Sequence, residues 1–361
     1  MESIAPGDDL IFDARHYIPV LKAKLNEKKA LTLLDPDTSR QITPLLEIVE
    51  RKGSSIDKHI ETTFKGLASS LREIDRCFID ARELEKDGPA AARSVFDRAS
   101  DEGIDFIPVT SISRPADVAA ALAHSQRGLA IRLSRNELEA GNIHSATLRF
   151  LSHHRLTPEQ IDLLVDLGPV DTMVPLGIER IASQFLSEIP PHTDWRTYTL
   201  SACAFPSGMG VVERYSHALI DRTDWLHWRD RLHQRRRSLP RLPTYSDAGI
   251  QHTRGVEGYD PRYMPRSPAV RYTSGDQWLL IKGESTRNRS EKEQFQELAQ
   301  RLVSGDLRMH FSGAAHCIGC MSIAAAARGE PGLGSAGAWR RLGTIHHITS
   351  VVESLGGLTW P

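Results

Sequence analysis

The chain has 361 residues, a formal net charge of −1 and 40% hydrophobic residues, an ordinary globular composition with room for one large domain or two medium ones. Near-neutral charge argues against a protein that coats DNA or membrane. No apolar run approaches the roughly 20 residues of a membrane span, which excludes a helical membrane protein. Residues 1–9 are acidic and lack the apolar centre of a signal peptide. Four cysteines, Cys77, Cys203, Cys317 and Cys320, make no disulfide framework in a chain this long, so a reducing cytoplasm is the expected setting.

Short apolar, β-rich runs recur along the first two-thirds, at 17–21, 42–49, 77–81, 105–109, 129–133, 161–166, 196–205 and 242–250. Amphipathic stretches at 57–74, 89–102, 116–124, 178–188 and 224–236 lie between them. Apolar strands alternating with helices indicate a parallel sheet covered on both faces. Eight such units within about 250 residues match a closed (β/α)₈ TIM barrel. The alternative, an open doubly wound sheet, usually carries a glycine-rich first βα turn. Here that turn reads Lys22-Ala23-Lys24.

The texture changes after Ile250. Residues 251–268 are rich in Gly, Pro, Tyr and Arg and read as a long irregular excursion. Residues 271–273 and 278–282 suit a strand pair across Ser274-Gly275-Asp276. A helix is expected over 290–303, with Ser290 as N-cap and Glu293 in the capping-box position. Helices at 318–328 and 338–355 complete the chain. The expected organisation is a barrel over 1–255 and an α+β extension over 256–361 that docks on it within one folding unit.

In a barrel of this kind the C-terminal strand ends line the functional site. Lys22, Lys24, Glu47, Asp80, Arg82, Arg132, Asp166, Tyr245 and Asp247 all fall at or near such ends. Lone buried charges are costly, so these groups must be paired, solvated in a pocket, or both. One reading is a ring of salt bridges that closes the mouth. The other is a polar pocket in which Lys22, Lys24, Arg82 and Arg132 hold an anion, with Asp166 and Tyr245 among the ligand contacts. Glu47, Asp80 and Asp247 would then act as catalytic acids or bases, or share a divalent cation. Lys282, His346 and His347 are the expected contributions of the C-terminal section to the pocket rim.

His316-Cys317-x-x-Cys320 holds two thiols at zinc spacing, and His310, His346 and His347 could supply further ligands. A single C-x-x-C without a second pair reads instead as the small-residue start of an alanine-rich helix, so no structural zinc is expected. Arg235-Arg236-Arg237 reads as the basic end of a helix. Phosphate-loop, G-x-S-x-G, H-E-x-x-H and zinc-deaminase motifs do not occur.

Tyr17-Ile18-Pro19-Val20-Leu21-Lys22-Ala23-Lys24 and Ile42-Thr43-Pro44-Leu45-Leu46-Glu47-Ile48 resemble the opening of the beta protein family of phages and bacteria. Phe78-Ile79-Asp80, Pro108-Val109-Thr110, Pro243-Thr244-Tyr245-Ser246-Asp247, Phe311-Ser312-Gly313, Trp339-Arg340 and His346-His347 extend the resemblance over residues 16–355. Lys22, Glu47, Asp80 and Asp247 fit the family pattern. The family tends to carry serine and then Gly-Asp where this chain has Cys317 and Gly319-Cys320, which marks the C-x-x-C as a local substitution. The resemblance transfers no chemistry, but it implies a setting of phage–host conflict or antiviral defense. The expected function is binding of a small anionic, phosphate-bearing ligand, such as a nucleotide or nucleic-acid end, with hydrolysis as the reaction. The alternative is a non-catalytic binding or sensor subunit that recognises a protein partner through the pocket or the 259–272 loop.

Overall fold

A computed structural model describes residues 12–190, 193–253, 267–287 and 289–360. Most of the Gly/Pro-rich excursion and the acidic N-terminus lie outside the described residues, as does most of the 259–272 loop. Eight parallel strands close into a barrel: β1 (Tyr17–Lys22), β2 (Leu45–Glu47), β3 (Cys77–Asp80), β4 (Phe106–Thr110), β5 (Leu129–Ser134), β6 (Ile161–Pro169), β7 (Thr197–Cys203) and β9 (Thr244–Asp247). β9 pairs with both β7 and β1, which shuts the sheet. All eight expected strands are present, because parallel strands buried on both faces leave a dense apolar signal.

Side-chain alternation divides each strand between two cores. Ile18, Val20, Leu45, Phe78, Ile107, Val109, Ala130 and Leu164 fill the barrel interior, and Phe12 plugs one end against Phe78. The opposite faces carry Tyr17, Leu21, Leu46, Ile79, Ile131, Leu133, Leu163, Val165 and Tyr245 into the outer core beneath the helices. One stretch read as a single helix, 57–74, is two: Ile56–Phe64 and Leu67–Ser70 are separated at Gly66, whose φ of 74° breaks the helical path. Helix 143–154 was not anticipated.

A second sheet holds three strands in the order β10 (Ala269–Ser274), β11 (Gln277–Lys282), β8 (Ser216–Asp221). The β10–β11 hairpin turns at Gly275, with φ of 58°, as expected. β8 was not expected. It leaves the barrel after β7 and pairs antiparallel with β11, so loops following two neighbouring barrel strands are joined in one sheet. β11 alternates between two cores: Trp278 and Leu280 enter the barrel's outer core, while Leu279 and Ile281 pack with helices Glu291–Val303 and Ile318–Ala327.

The last helix, Ala336–Gly356, belongs to both parts. Trp339 and Leu342 enter the accessory core, whereas Ile345, Ile348, Val351, Val352 and Leu355 enter the barrel core. Its Gly337 meets Asn26 of helix Leu25–Thr32, and its His347 ring meets Tyr17 of β1. It therefore covers the seam beside β1 and β9, the place of a barrel's eighth helix. Residues beyond 255 contain both an insertion over the C-terminal face and the helix that finishes the barrel wall.

Candidate functional site

Strand register sets the mouth. Lys22 is level with Glu47, and Glu47 with Asp80, so three inward side chains line up at the ends of β1, β2 and β3. Arg132 and Asp166 enter from β5 and β6 with the same parity as Ala130 and Leu164. Arg132 is the hub: its guanidinium donates to Glu47 at 2.8 Å, Asp80 at 3.0 Å and Asp166 at 2.7 Å. Arg82, just past β3, reaches Glu47 at 2.7 Å and Asp166 at 3.3 Å. Arg114, after β4, binds Asp80 at 2.8 Å and Asp117 at 3.1 Å. Lys22 pairs with Glu83 at 3.1 Å, and Lys24 stays exposed beside it.

Burial raises the proton affinity of Asp80, but Arg114, Arg132 and Arg82 outweigh it and hold the carboxyl well below the usual range. Arg132 and Arg82 do the same for Asp166. Carboxylates held ionised and saturated by guanidinium donors are poor proton acceptors. These ion pairs form a salt-bridge ring, and two of its members, Arg82 and Asp166, line a cavity of about 260 Å³ together with Glu83, Ser134, Arg135 and Thr253, among others. Arg82 connects ring and cavity: 26% of its side chain is exposed, against 2% for Arg132 and 8% for Arg114.

Asp247 and Tyr245 are elsewhere. They share the outward face of β9, and the inward positions of that strand are Thr244 and Ser246. Asp247 accepts hydrogen bonds from Tyr17 Oη at 2.6 Å, Tyr245 Oη at 2.7 Å, Gly249 N at 2.9 Å and His347 Nε2 at 3.1 Å, with Arg222 3.7 Å away. Burial opposes its charge, but His347, Arg222 and the tyrosine donors keep its carboxyl low. Burial likewise lowers His347, whose Nδ1 accepts from Thr273 Oγ1 at 2.8 Å, and holds the ring neutral. Nearby Asp224 is pushed up to about 7 by burial and then by the charge of Asp247. The four-residue convergence of Lys22, Glu47, Asp80 and Asp247 is thus limited to the first three.

The other rim candidates are not at the mouth. Lys282 donates to the carbonyls of Met209 and Val212, both at 2.8 Å, and braces the loop after β7. His346, one residue from His347 and about 100° around the helix, faces the accessory layer and stacks on Tyr272 at 3.8 Å. There it meets the C-x-x-C pair. Donor atoms of His316, Cys317, Cys320 and His346 all lie within 4.8 Å of one another. Reading the two cysteines only as a helix start was incomplete: Cys317 does cap helix Ile318–Ala327, but two histidines join the pair in space. Of the other histidines considered, His310 bonds Ser274 Oγ at 3.0 Å and His347 bonds Asp247. Arg236 and Arg237, with Arg15, Arg241 and Trp360, line a separate cleft near the start of β9.

Residues missed in the sequence are Arg114, Glu83, Arg135 and Arg222. Arg135 directly follows β5, where the strand-end rule does apply; Glu83 and Arg114 lie further along the segments after β3 and β4, and Arg222 follows β8, outside the barrel. No described helix is long and apolar enough to cross a membrane. One family model, described as Beta protein, matches residues 17–353. No curated protein matches the chain.

Proposed function

Because the chain belongs to the beta protein family along nearly its whole length, and that membership carries no chemistry, we propose from the site itself that the barrel mouth binds a small phosphate-bearing anion. A nucleotide or a nucleic-acid end has the required chemistry. The observation that carries this reading is Arg82, a partly exposed guanidinium at the wall of a cavity of about 260 Å³, just below the usual size of small-ligand sites. Arg135 and Asn136 offer further donors on the same wall. Guanidinium forks match phosphate oxygens in geometry and charge. The ionised carboxylates below keep Arg82 and Arg132 in place before the ligand arrives.

Saturation of the buried acids favours binding as the primary role, that of a ligand-sensing subunit in phage–host conflict or antiviral defense. The family association alone supports that setting, and four free cysteines suit the cytoplasm. Hydrolysis is the second reading, favoured by the exposure of Arg82. A phosphate that draws Arg82 away uncovers oxygens of Glu47 and Asp166 beside the ligand, and one of them can then activate water. The test is calorimetric titration with pyrophosphate, a nucleoside triphosphate and a 5′-phosphorylated oligonucleotide. Binding of at least one, weakened tenfold or more in Arg82→Ala at unchanged melting temperature, is expected. Binding indifferent to Arg82→Ala, or no binding at all, sinks the proposal. Phosphate release lost in Glu47→Gln with binding retained would establish the hydrolase.

A further inference from the structure

We infer that His316, Cys317, Cys320 and His346 form a tetrahedral zinc site that fastens the accessory layer to the barrel's last helix. The four donor atoms come from the start of helix Ile318–Ala327, with Cys317 its cap and His316 the residue before, and from the last helix, and all lie within 4.8 Å of one another. A Cys₂His₂ zinc site with Zn–S of about 2.3 Å and Zn–N of about 2.0 Å has donor–donor edges of about 3.3–3.8 Å. Cys320 Sγ and His346 Nδ1, at 3.2 Å, are slightly closer than such an edge. The remaining closure is within side-chain rotation.

Each ligand also has an outer partner that prepares it for a cation. The Thr273 carbonyl can only accept, so the 2.8 Å contact to His346 Nε2 places the proton on Nε2 and leaves Nδ1 with its lone pair towards Cys320. Glu353 lies 3.3 Å from His316 Nδ1, which leaves Nε2 as the lone-pair nitrogen of that ring. Tyr272 Oη takes a hydrogen bond from Ser312 N at 3.0 Å and can donate its own proton to Cys320 Sγ at 3.3 Å. The amide of Cys320 points at Cys317 Sγ, also at 3.3 Å. Carbonyl and carboxylate partners on histidine, and donors on thiolate sulfur, are the usual outer shell of a metal site.

The backbone is shaped for the same contact. A Cβ at Gly319, between the two cysteines, would lie 2.7 Å from the carbonyl oxygen of Leu342. Only glycine lets the start of helix Ile318–Ala327 approach the last helix this closely, and that approach brings His346 to the thiols. Four protein donors leave no open position, so the site is structural and not catalytic. Its place explains its use. His346 grips the insertion while the adjacent His347 grips Asp247 on the barrel, so the metal locks a helix that both parts share.

The full-length chain, purified under reducing conditions with zinc supplied, is expected to carry stoichiometric zinc by elemental analysis. Cobalt exchange should give the thiolate charge-transfer and intense d–d bands of a tetrahedral S₂N₂ centre. Cys317→Ser retains a capping oxygen and should keep native circular dichroism while losing the metal at least tenfold. Should that variant misfold, the cobalt spectrum of the unaltered chain decides. A metal-free protein with both thiols titratable, a Cys317–Cys320 disulfide, or zinc retained equally by Cys317→Ser would each overturn the inference.

Discussion

Two groups of buried carboxylates sit at the same end of the barrel and behave in opposite ways. Glu47, Asp80 and Asp166 face inward and meet three guanidinium groups, those of Arg82, Arg114 and Arg132. Asp247 and Asp224 lie under the helices and share one, Arg222, supplemented by tyrosine, histidine and backbone donors. Where the cations match the anions, Asp80 and Asp166 stay ionised despite burial. Where they fall short, one carboxyl of the pair keeps its proton up to near-neutral pH. Burial alone does not decide the charge of an acid; the local supply of cations does.

Removing the hub breaks the inner group most severely. Arg132→Met leaves three buried carboxylates short of a partner and should cost about 3–5 kcal/mol, read as a fall in the denaturant midpoint. A loss below about 1 kcal/mol would mean that Arg82 and Arg114 suffice alone. In the outer group, Asp247→Ala orphans Tyr17, Tyr245, His347 and Arg222 together, with an expected cost of about 3 kcal/mol. Chemical denaturation checks this, and an unchanged midpoint would show that water replaces the carboxylate.

The contrast is sharpened by pH. Asp224 is pushed up to about 7 in the folded protein, against about 3.9 when unfolded. The folded state therefore holds a proton that the unfolded state releases. Its contribution is complete below about pH 4 and is lost as pH rises through 7, at about 2–3 kcal/mol between pH 5 and 7. Asp80, Asp166 and Asp247 act in the other direction: their stabilisation is present above about pH 4 and lost as pH falls through their lower folded values. Asp224→Asn should flatten the fall in stability from pH 5 to 7, and equal slopes for both proteins would refute the assignment. The smallest effect is expected for Arg82→Ala. Its partners keep Arg132, so thermal stability should change by about 1 kcal/mol or less while anion binding is lost.

The barrel was legible because its strands are apolar on both faces and therefore dense in the sequence. That same density hides which face is which. Thr244, Tyr245, Ser246 and Asp247 are all buried, so a hydrophobic pattern cannot tell that Asp247 points outward; strand parity, counted from Lys22 and Glu47 through the register, can. β8 was missed because its six residues alternate between half-buried and exposed inside a loop, and its stability comes from β11, about 60 residues onward. The thiol–imidazole cluster escaped for a related reason. Its fourth donor stands 26 residues after Cys320, on a helix whose position depends on the whole insertion.

The last helix carries a kinetic consequence. It arrives almost 90 residues after β9, and the strand pair that shuts the barrel joins Tyr17 to Tyr245 at a sequence separation of 228. Such distant contacts are slow to form, since much loop entropy is lost before any of them is made. A nascent chain that has just finished β9 holds a nearly complete cylinder with one flank bare: the apolar outer faces of β1 and β9, Tyr17 and Tyr245 among them, wait for Ile345, Ile348 and Val352 to be synthesised. During that interval the molecule is most exposed to aggregation and most dependent on chaperones. Pulse-labelling hydrogen exchange on the refolding protein should find amides of β3–β6 protected early and those of β1, β9 and residues 336–356 protected together, last.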